Sequence, residues 1–117
     1  MNILSVIGTR PQYIKVKAIY DYCRQQQINH YILDTQQHYS DNVSASIIRD
    51  LNLTIDYALT LQPGKEIDFV SDCIREMKKV FEKLMPDIIL VYGDTNSTLC
   101  AALTAYKMNI PVAHIEA

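Results

Sequence analysis

Two acidic residues, an arginine and a lysine follow stretches that have the character of buried strands. Asp94 comes shortly after a run of four apolar residues, and Glu116 follows the last apolar run of the sequence. Arg10 follows the first apolar run, and Lys15 lies one turn into the helix predicted after it. Two carboxylates in different environments can divide the roles of general acid and general base. Arginine, lysine and helix N-termini favour an anion such as a phosphate. The pattern therefore predicts a phosphorylated or nucleotide-linked substrate with a proton to be moved.

Each of these residues also has an ordinary structural interpretation. Asp94 could cap the helix that follows it, because aspartate is a preferred N-cap residue. Arg10 could be a solvated loop residue, and Glu116 could pair with a lysine. The case for a site depends on a shared location, since ligands of open α/β sheets bind beyond the carboxyl ends of the strands. Gln37 and His38, which follow the second predicted strand, would lie at the same edge.

The composition is that of an ordinary soluble protein. The 117 residues are 49% apolar and 21% charged, with a net charge of −2, so no basic excess indicates nucleic acid binding. No charge run indicates a membrane surface, and no apolar stretch approaches the ~20 residues that cross a bilayer. The apolar run 3–7 is too short for an export signal. The three separated cysteines form neither a metal spacing nor a disulfide framework, which fits a cytoplasmic protein.

Predicted strands and helices alternate along the whole sequence. The strands are 2–7, 30–33, a short one within 57–61, 88–91 and 111–115, and the helices are 11–25, 41–51, 66–84 and one from about 96 to 107. This alternation predicts an α/β fold, a Rossmann-like doubly wound parallel sheet with right-handed crossovers. The expected strand order is 3-2-1-4-5, which places strands 1 and 4 side by side at the switch point.

Helical periodicity predicts which side of each helix faces the sheet. The predicted inward sets are Ile14, Ala18, Ile19 and Tyr22 in the first helix; Val43, Ile47, Ile48 and Leu51 in the second; Ile67, Val70, Ile74, Met77, Phe81 and Leu84 in the third; and Leu99, Ala102, Leu103 and Tyr106 in the fourth. The last strand has no crossover helix after it, so we expect residues 1–117 to be a single domain cut from a longer protein. Such a fragment would expose apolar surface.

Several nucleotide-binding classes are excluded by their signatures. The chain has only three glycines, Gly8, Gly64 and Gly93, so it contains neither a Gly-x-Gly-x-x-Gly fingerprint nor a Walker loop. The first strand ends in Gly-Thr-Arg-Pro, which is neither the hydroxyl-rich loop of a flavodoxin nor the acidic pair of a receiver domain.

Four motifs in the same order, at residues 8–15, 35–39, 91–98 and 110–117, resemble the non-hydrolysing UDP-N-acetylglucosamine 2-epimerases. They read Gly-Thr-Arg-Pro-Gln-Tyr-Ile-Lys, Thr-Gln-Gln-His-Tyr, Val-Tyr-Gly-Asp-Thr-Asn-Ser-Thr and Ile-Pro-Val-Ala-His-Ile-Glu-Ala. The resemblance implies a glycosyltransferase-B-like enzyme of two domains, with the active site between them. This chain would then be roughly the N-terminal third, inactive on its own because half of the cleft is missing.

The resemblance also implies a reaction and roles for the candidate residues. Family members interconvert UDP-N-acetylglucosamine and UDP-N-acetylmannosamine by eliminating UDP to a 2-acetamidoglucal and adding it again after the proton returns to the other face. Asp94 and Glu116 match positions that act as acid and base at C2. Lys15 and Arg10 match catalytic and substrate-binding positions.

Gln37 and His38 match a nucleotide-sugar loop that in some bacterial members belongs to an allosteric site. No metal or other cofactor is implied. The implied setting is a cytoplasmic homodimer that serves polysaccharide biosynthesis, with a UDP-sugar as its only ligand class.

Two positions depart from the family pattern, and the first of them leaves the substrate open. Gln12 stands where many members have glutamate, and the glutamine form is common in a branch that includes epimerases of diacetamido-uronic acid sugars. Gln36 replaces a usual glycine. Three hypotheses therefore remain, namely a UDP-N-acetylglucosamine 2-epimerase, an epimerase of a UDP-diacetamido-uronic acid sugar, and a nucleotide- or phosphate-binding module without turnover.

Overall fold

Within the residues that the computed structural model describes (1–37, 41–62 and 64–116, with the side chains of 41–44 left out), strands and helices alternate as predicted. The strands are β1 (Asn2–Ile7), β2 (Asn29–Asp34), β3 (Tyr57–Ala58), β4 (Ile88–Tyr92) and β5 (Val112–Ile115). The helices are α1 (Arg10–Gln25), α2 (Asp41–Asp50), α3 (Glu66–Leu84) and α4 (Asn96–Lys107). Ser40, a predicted cap of α2, lies outside the described residues.

The strands form one parallel sheet in the order β3-β2-β1-β4-β5, which confirms the predicted order. β1 is the central strand, and its Ser5 pairs with Ile32 of β2 on one side and Leu90 of β4 on the other. Because the strands are parallel, all their carboxyl ends meet at one edge of the sheet. The strand order reverses between β1 and β4, so the topological switch point lies there.

The helix ends follow local rules that the sequence displays. α1 begins after Thr9, which has extended backbone and forms a capping box with Gln12, and a proline occupies the first turn. α3 ends at Met85, whose left-handed conformation (φ 52°) precedes Pro86. Asn109, with φ 61°, follows α4 in the same left-handed region.

Two apolar cores cover the two faces of the sheet. Successive side chains of β4 alternate between them: Ile89 and Val91 join the core under α3 and α4, whereas Leu90 and Tyr92 join the core under α1. The predicted inward residues Ile47 and Ile48 of α2, and Leu51 directly after it, pack against the second core, while the side chain of Val43 lies outside the described residues. Both faces are thus covered over the central strands, as in other parallel sheets, but no residue of β5 is buried.

The predicted inward face of α1 is wrong except for Ile19. Ile14 and Tyr22 are 56% and 58% exposed and Ala18 is exposed, whereas Tyr13, Val16 and Tyr20 are buried. Two apolar stripes compete on this helix, and the stripe with two tyrosines is buried because each hydroxyl finds a partner. Tyr13 donates to Asp34, and Tyr20 accepts from Arg24.

The predicted inward face of α4 is also wrong. Leu99, Leu103 and Tyr106 are 53%, 41% and 72% exposed. The buried face of α4 consists instead of small residues, Ser97, Thr98, Cys100, Ala101, Thr104 and Ala105. Small side chains let α4 approach the sheet and α3 closely. The hydroxyl of Thr104 donates a hydrogen bond to the backbone carbonyl of Cys100.

The predicted inward face of α3 is right apart from its first member. Met77 and Phe81 are buried, and Val70, Ile74 and Leu84 pack against the same core, but Ile67 is 68% exposed. Ile67 lies in the first turn of α3, beyond the reach of the core. All three cysteines are free and buried, as expected, and a hydrogen bond with the thiol of Cys100, together with burial, raises the pKa of Cys73.

Candidate functional site

The carboxyl edge of the sheet brings together the loops that carry the candidate residues. Arg10 is the first residue of α1 and Lys15 lies in its second turn, the β4–α4 turn carries Asp94, and Glu116 directly follows β5. Arg10, Asp94 and Glu116 are exposed, and Lys15 is partly buried. Within the described part of the chain, neither Arg10 nor Asp94 forms an ion pair, so both charges remain available to a ligand.

Asp94 is not the cap of α4. Thr95 has extended backbone and its hydroxyl accepts a hydrogen bond from the amide of Thr98, which makes Thr95 the N-cap residue. Gly93 adopts a left-handed conformation with φ +69°, which turns the chain sharply after β4 and leaves Asp94 on the outside of the turn. The interpretation of Asp94 as the helix cap is therefore wrong, because Thr95 makes the capping contact and the carboxylate of Asp94 is exposed.

Glu116 pairs with a lysine, and that lysine is the other candidate at this end of the edge. The Nζ of Lys15 lies 2.8 Å from Oε2 of Glu116. Glu116 has φ 57°, a conformation that few non-glycine residues adopt. The ring Nε2 of the neighbouring His114 donates to the carbonyl oxygen of Gly93 at 2.5 Å, which ties the end of β5 to the turn that carries Asp94. The candidate base and acid thus belong to connected loops.

Gln37 reaches across the edge to the N-terminus of α4. Its side-chain oxygen accepts hydrogen bonds from the amide and the hydroxyl of Ser97, at 3.1 and 2.7 Å. The hydroxyl of Ser97 also lies 2.6 Å from that of Thr35. Gln36, at the position where the family usually has glycine, keeps a left-handed backbone with φ 56°. The loop therefore has the turn that a glycine would favour and holds Gln37 against α4.

A cleft of about 670 Å³ opens beside this loop. It is lined on one side by Gln36, Gln37 and Asn96 and on the other by Lys65 and Phe69, with further walls from the segment after β3. A cleft of this size suits a small-molecule ligand. The four charged candidates do not line this cleft, whose one lining residue from α4 is Asn96, the first residue of that helix.

A buried polar chain supports the strand ends from below. Oγ of Ser5 lies 2.7 Å from Nε2 of His30 and 2.8 Å from the hydroxyl of Tyr92. Burial lowers the pKa of His30 to about 4 and raises the pKa of Tyr92 to about 12. Both side chains are therefore neutral near pH 7. Nδ1 of His30 is buried without a hydrogen-bond partner in the described part of the chain.

A second buried acid lies at the end of β2. Burial raises the pKa of the Asp34 carboxyl, and hydrogen bonds from the hydroxyl of Tyr13 and the amide of Gln36 oppose that rise. The carboxylate thereby fixes the loop that leads to Gln37. Asp34 has a structural role here, because its oxygens are directed at protein donors and it is 1% exposed.

The structure places most of the predicted site residues at one edge and adds residues that the sequence analysis missed. Arg10, Lys15, Asp94, Glu116 and Gln37 all occur there, while His38 lies outside the described residues. The missed residues are buried polar ones: Gln12, Asp34, Thr35 and Ser97. A signal for them existed, since each is a polar residue within or next to an apolar strand or a quoted motif. Among the described residues, no group of three or more His, Cys, Asp or Glu side chains could hold a metal ion.

The fold defines the class of protein. Solved structures that share it include MurG of Acinetobacter baumannii, which is 15% identical, with a TM-score of 0.71 over 97% of this chain. The chain has the α/β fold of the N-terminal part of glycosyltransferase-B-type enzymes. No helix in the described residues is both long and apolar enough to cross a membrane.

The family follows from the sequence and structure comparisons. The family model described as UDP-N-acetylglucosamine 2-epimerase matches residues 21–117. A crystal structure of the Methanocaldococcus jannaschii UDP-GlcNAc 2-epimerase in complex with UDP-GlcNAc and UDP is 37% identical and has a TM-score of 0.94, covering all of this chain and 33% of that one. The chain belongs to the UDP-N-acetylglucosamine 2-epimerase family, which confirms the resemblance of the four motifs.

One relative acts on a different sugar. The UDP-2,3-diacetamido-2,3-dideoxy-D-glucuronate 2-epimerase of Pseudomonas aeruginosa is 41% identical over the whole of this chain and over 34% of its own length. The chain therefore spans about a third of the length of the relatives that it matches.

Proposed function

We propose that residues 1–117 form one domain, the N-terminal part of a UDP-sugar 2-epimerase. The observation that carries this proposal is the arrangement of two carboxylates at one sheet edge. Asp94 is exposed and has no capping role, and Glu116 is paired with Lys15 at 2.8 Å. Family membership and the structures of relatives with UDP-GlcNAc bound support a UDP-sugar as the substrate.

The proposed chemistry moves one proton and one leaving group. One carboxylate takes the proton from C2 of the sugar while the C1–O bond breaks and UDP departs with the bonding electrons, which leaves a C1–C2 double bond. The second carboxyl group, which is protonated at this stage, gives its proton to the opposite face of C2 while UDP adds again to C1. Exchange of protons with solvent then restores both carboxyl groups to their starting states. Lys15 holds the carboxylate of Glu116 in place through the ion pair between its Nζ and Oε2, at 2.8 Å.

Arg10 would bind the diphosphate. Its guanidinium lies at the start of α1, is exposed and is unpaired in the described residues, so it can form charge-assisted hydrogen bonds to phosphate oxygens. The N-terminus of α1 adds a favourable helix dipole at the same place. Gln37 and His38 are proposed to contact the nucleotide-sugar from the second strand, with Gln37 already held at the N-terminus of α4.

The particular sugar has two candidates. UDP-N-acetylglucosamine is supported by the family description and by most of the relatives. A UDP-diacetamido-uronic acid sugar is supported by the 41% identity to the Pseudomonas aeruginosa enzyme. The reaction is the same for both, so the acid and base assignments do not depend on the choice.

The full-length enzyme is proposed to be a cytoplasmic homodimer in polysaccharide biosynthesis, and the 117 residues alone are proposed to be inactive. Relatives are about three times as long as this chain, and the family resemblance implies an active site between two domains. Product formed by the isolated chain would contradict this part of the proposal.

The test is epimerisation by the complete reading frame in D2O, followed by NMR. With UDP-N-acetylglucosamine we expect the manno product with deuterium at C2, because the returning proton comes from a group that exchanges with solvent. Asp94→Asn and Glu116→Gln should each lower kcat by at least about 100-fold, the scale of a lost general acid or base.

A matched control is Asp87→Asn, because Asp87 is an exposed acid at the opposite end of β4. It should leave the rate within about twofold. Turnover of a diacetamido-uronic acid substrate alone would keep the mechanism and change the sugar. Binding of UDP without turnover of either sugar would contradict the proposed epimerase activity and favour a nucleotide-binding module.

A further inference from the structure

Gln12 lies in the first turn of α1 and connects the two loops that carry Arg10 and Asp94. The side chain is 3% exposed. Its oxygen accepts hydrogen bonds from the backbone amides of Gly8 and Thr9, at 2.8 and 3.2 Å. These amides belong to the β1–α1 turn, directly before Arg10.

The other end of the same amide reaches the β4–α4 turn. The side-chain nitrogen of Gln12 donates to the backbone carbonyl of Tyr92 at 2.5 Å and to the hydroxyl of Thr95 at 2.9 Å, and it lies 3.5 Å from the hydroxyl of Thr98. Tyr92 and Thr95 flank Gly93 and Asp94, so the contact holds both ends of the turn that presents Asp94.

The two turns are 80 residues apart in the chain, and the side chain of Gln12 crosses the switch point between β1 and β4. Both hydrogen-bonding ends of the amide are used, and each faces the complementary kind of group. An oxygen faces two N–H donors, and an NH2 faces a carbonyl and hydroxyls. Such a buried and satisfied polar contact specifies one geometry, because any shift of one turn leaves buried groups unpaired.

We propose that Gln12 is a positioning residue that fixes Asp94 relative to Arg10 and Lys15, an inference that rests on the proposed epimerase function. Gln12 does not contact the reacting atoms. It acts through the Tyr92 carbonyl and the Thr95 hydroxyl, and it sets how far the carboxylate of Asp94 stands from the anion-binding start of α1.

The chemistry of the contact predicts how substitutions differ. Gln12→Met keeps the length of the side chain but leaves the amides of Gly8 and Thr9 and part of the Tyr92 carbonyl unsatisfied. Gln12→Glu keeps the two acceptor contacts on the β1–α1 turn, and the hydroxyl of Thr95 can turn to donate to it. Its carboxylate cannot donate to the Tyr92 carbonyl, which keeps only the hydrogen bond from the hydroxyl of Thr98.

The experiment measures the ratio of free UDP to epimerised product for the full-length protein. The ratio is a property of each turnover and does not depend on how much of the enzyme is folded. When Asp94 is misplaced, UDP should escape before the proton returns and the sugar is rejoined.

We expect Gln12→Met to raise that ratio at least about fivefold and to lower kcat about tenfold, with Gln12→Glu falling between it and the unaltered protein. The control is Gln25→Met, which makes the same substitution at the exposed end of α1 and should change neither quantity. A ratio and a kcat within twofold of the unaltered protein for Gln12→Met would overturn the proposal.

Hydrogen exchange separates this inference from the proposed function. The amides of Gly8 and Thr9 should exchange at least about tenfold faster in Gln12→Met, and the NMR shifts of residues 93–95 should move even though they are 80 or more positions away in the chain. If the unaltered protein epimerises no UDP-sugar, the proposed function fails and the catalytic role fails with it. Faster exchange would then still establish the link between the turns, and unchanged exchange would overturn that link as well.

Discussion

The inner and outer ends of the sheet edge are held together by different kinds of contact. At the inner ends, where β1, β2 and β4 finish, polar side chains are buried and hydrogen-bonded within the protein, and most of them are uncharged, as with Gln12, Thr35 and Ser97. At the outer end, where β5 finishes, the contact is an ion pair between Lys15 and Glu116, whose side chains are 33% and 63% exposed. The inner ends set geometry, and the outer end presents charge.

The energetics of the two regions differ for a physical reason. Removing one partner from a buried hydrogen bond leaves the other without water, which costs about 1–3 kcal/mol for each group. An exposed ion pair is solvated and screened, and typically contributes less than about 1 kcal/mol to stability. The inner ends should therefore be sensitive in stability, and the outer end should be sensitive mainly in function.

The largest effect is expected from Gly8→Ala, which would break the inner region. A Cβ at Gly8 would lie 2.2 Å from the hydroxyl oxygen of Thr35 and 2.4 Å from that of Ser97. These atoms are part of the buried hydrogen bond between the two hydroxyls and have little room to move. We expect a loss of about 4 kcal/mol in the free energy of unfolding, from overpacking and the broken hydrogen bond together.

Denaturant unfolding of the full-length protein measures this loss. Gly64→Ala is the matched control, because its Cβ would lie 3.2 Å from an oxygen of the exposed and flexible Asp68 side chain. It should change stability by less than about 0.5 kcal/mol. A Gly8→Ala protein as stable as the control would contradict the close approach of the ends of β1 and β2 to the N-terminus of α4.

The next effect is a pH dependence that arises from His30. Burial holds the pKa of His30 at about 4, against an ordinary value of 6.5, so the unfolded chain binds the proton more tightly than the folded one. The contribution of the neutral His30 ring to the free energy of unfolding is at its maximum above about pH 6.5. It falls as the pH drops toward 4 and does not change further below that. The total is at most about 3 kcal/mol, at about 1.4 kcal/mol per pKa unit.

Unfolding measured at pH 7, 5.5 and 4 tests this dependence. His30→Gln removes the titrating ring while its amide can still bond to Ser5, so the variant should show a smaller loss between pH 6.5 and 4 than the unaltered protein. Carboxylates elsewhere titrate in both proteins and cancel in the difference. Equal slopes for the two proteins would show that the His30 ring is hydrated in the folded state.

The smallest effect on stability is expected at the outer end. Lys15→Met removes the ion pair with Glu116 but keeps most of the apolar stem, so the free energy of unfolding should change by less than about 1 kcal/mol. Epimerisation by the full-length protein should nevertheless fall at least about tenfold, because Glu116 loses its cation. Lys17→Met, which removes the exposed pair with Asp21 one turn away, should leave the rate unchanged.

A large loss of stability in Lys15→Met would contradict the proposed difference in energetics between the two regions. It would mean that the ion pair at the outer end supports the fold as the buried contacts do. Loss of activity in Lys17→Met to the same degree would show instead that the general charge of α1 matters, rather than the contact with Glu116.

Much of the fold could be predicted from local patterns. The bounds of β1 and α3 agree with the prediction, and the strand order follows from the alternation of elements and the hand of the crossovers. The failures concern faces and partners. On α4 the large apolar residues Leu99 and Tyr106 suggest an inward face, but the space beside α3 admits only small side chains such as Ala101. Periodicity identifies apolar stripes, and it does not measure the room available to them.

In the candidate site, too, the sequence identifies residues but not all of their contacts. Arg10, Lys15, Asp94 and Glu116 could be named from the sequence because charged residues after predicted strands stand out against apolar runs. The cap of α4 could not be assigned, because Thr95 and Asp94 are both good capping residues and the left-handed turn at Gly93 decides between them.

By itself, the sequence determined the alternation of strands and helices, the order of the parallel sheet and membership of the UDP-N-acetylglucosamine 2-epimerase family. Only the tertiary structure decided that Gln12 joins the turns of β1 and β4, that Gln37 bonds to Ser97 and that Lys15 bonds to Glu116. The reason is physical. Strands and helices arise from interactions between near neighbours, whereas each of these contacts joins residues at least 60 positions apart and exists only once the packed sheet brings the strand ends together.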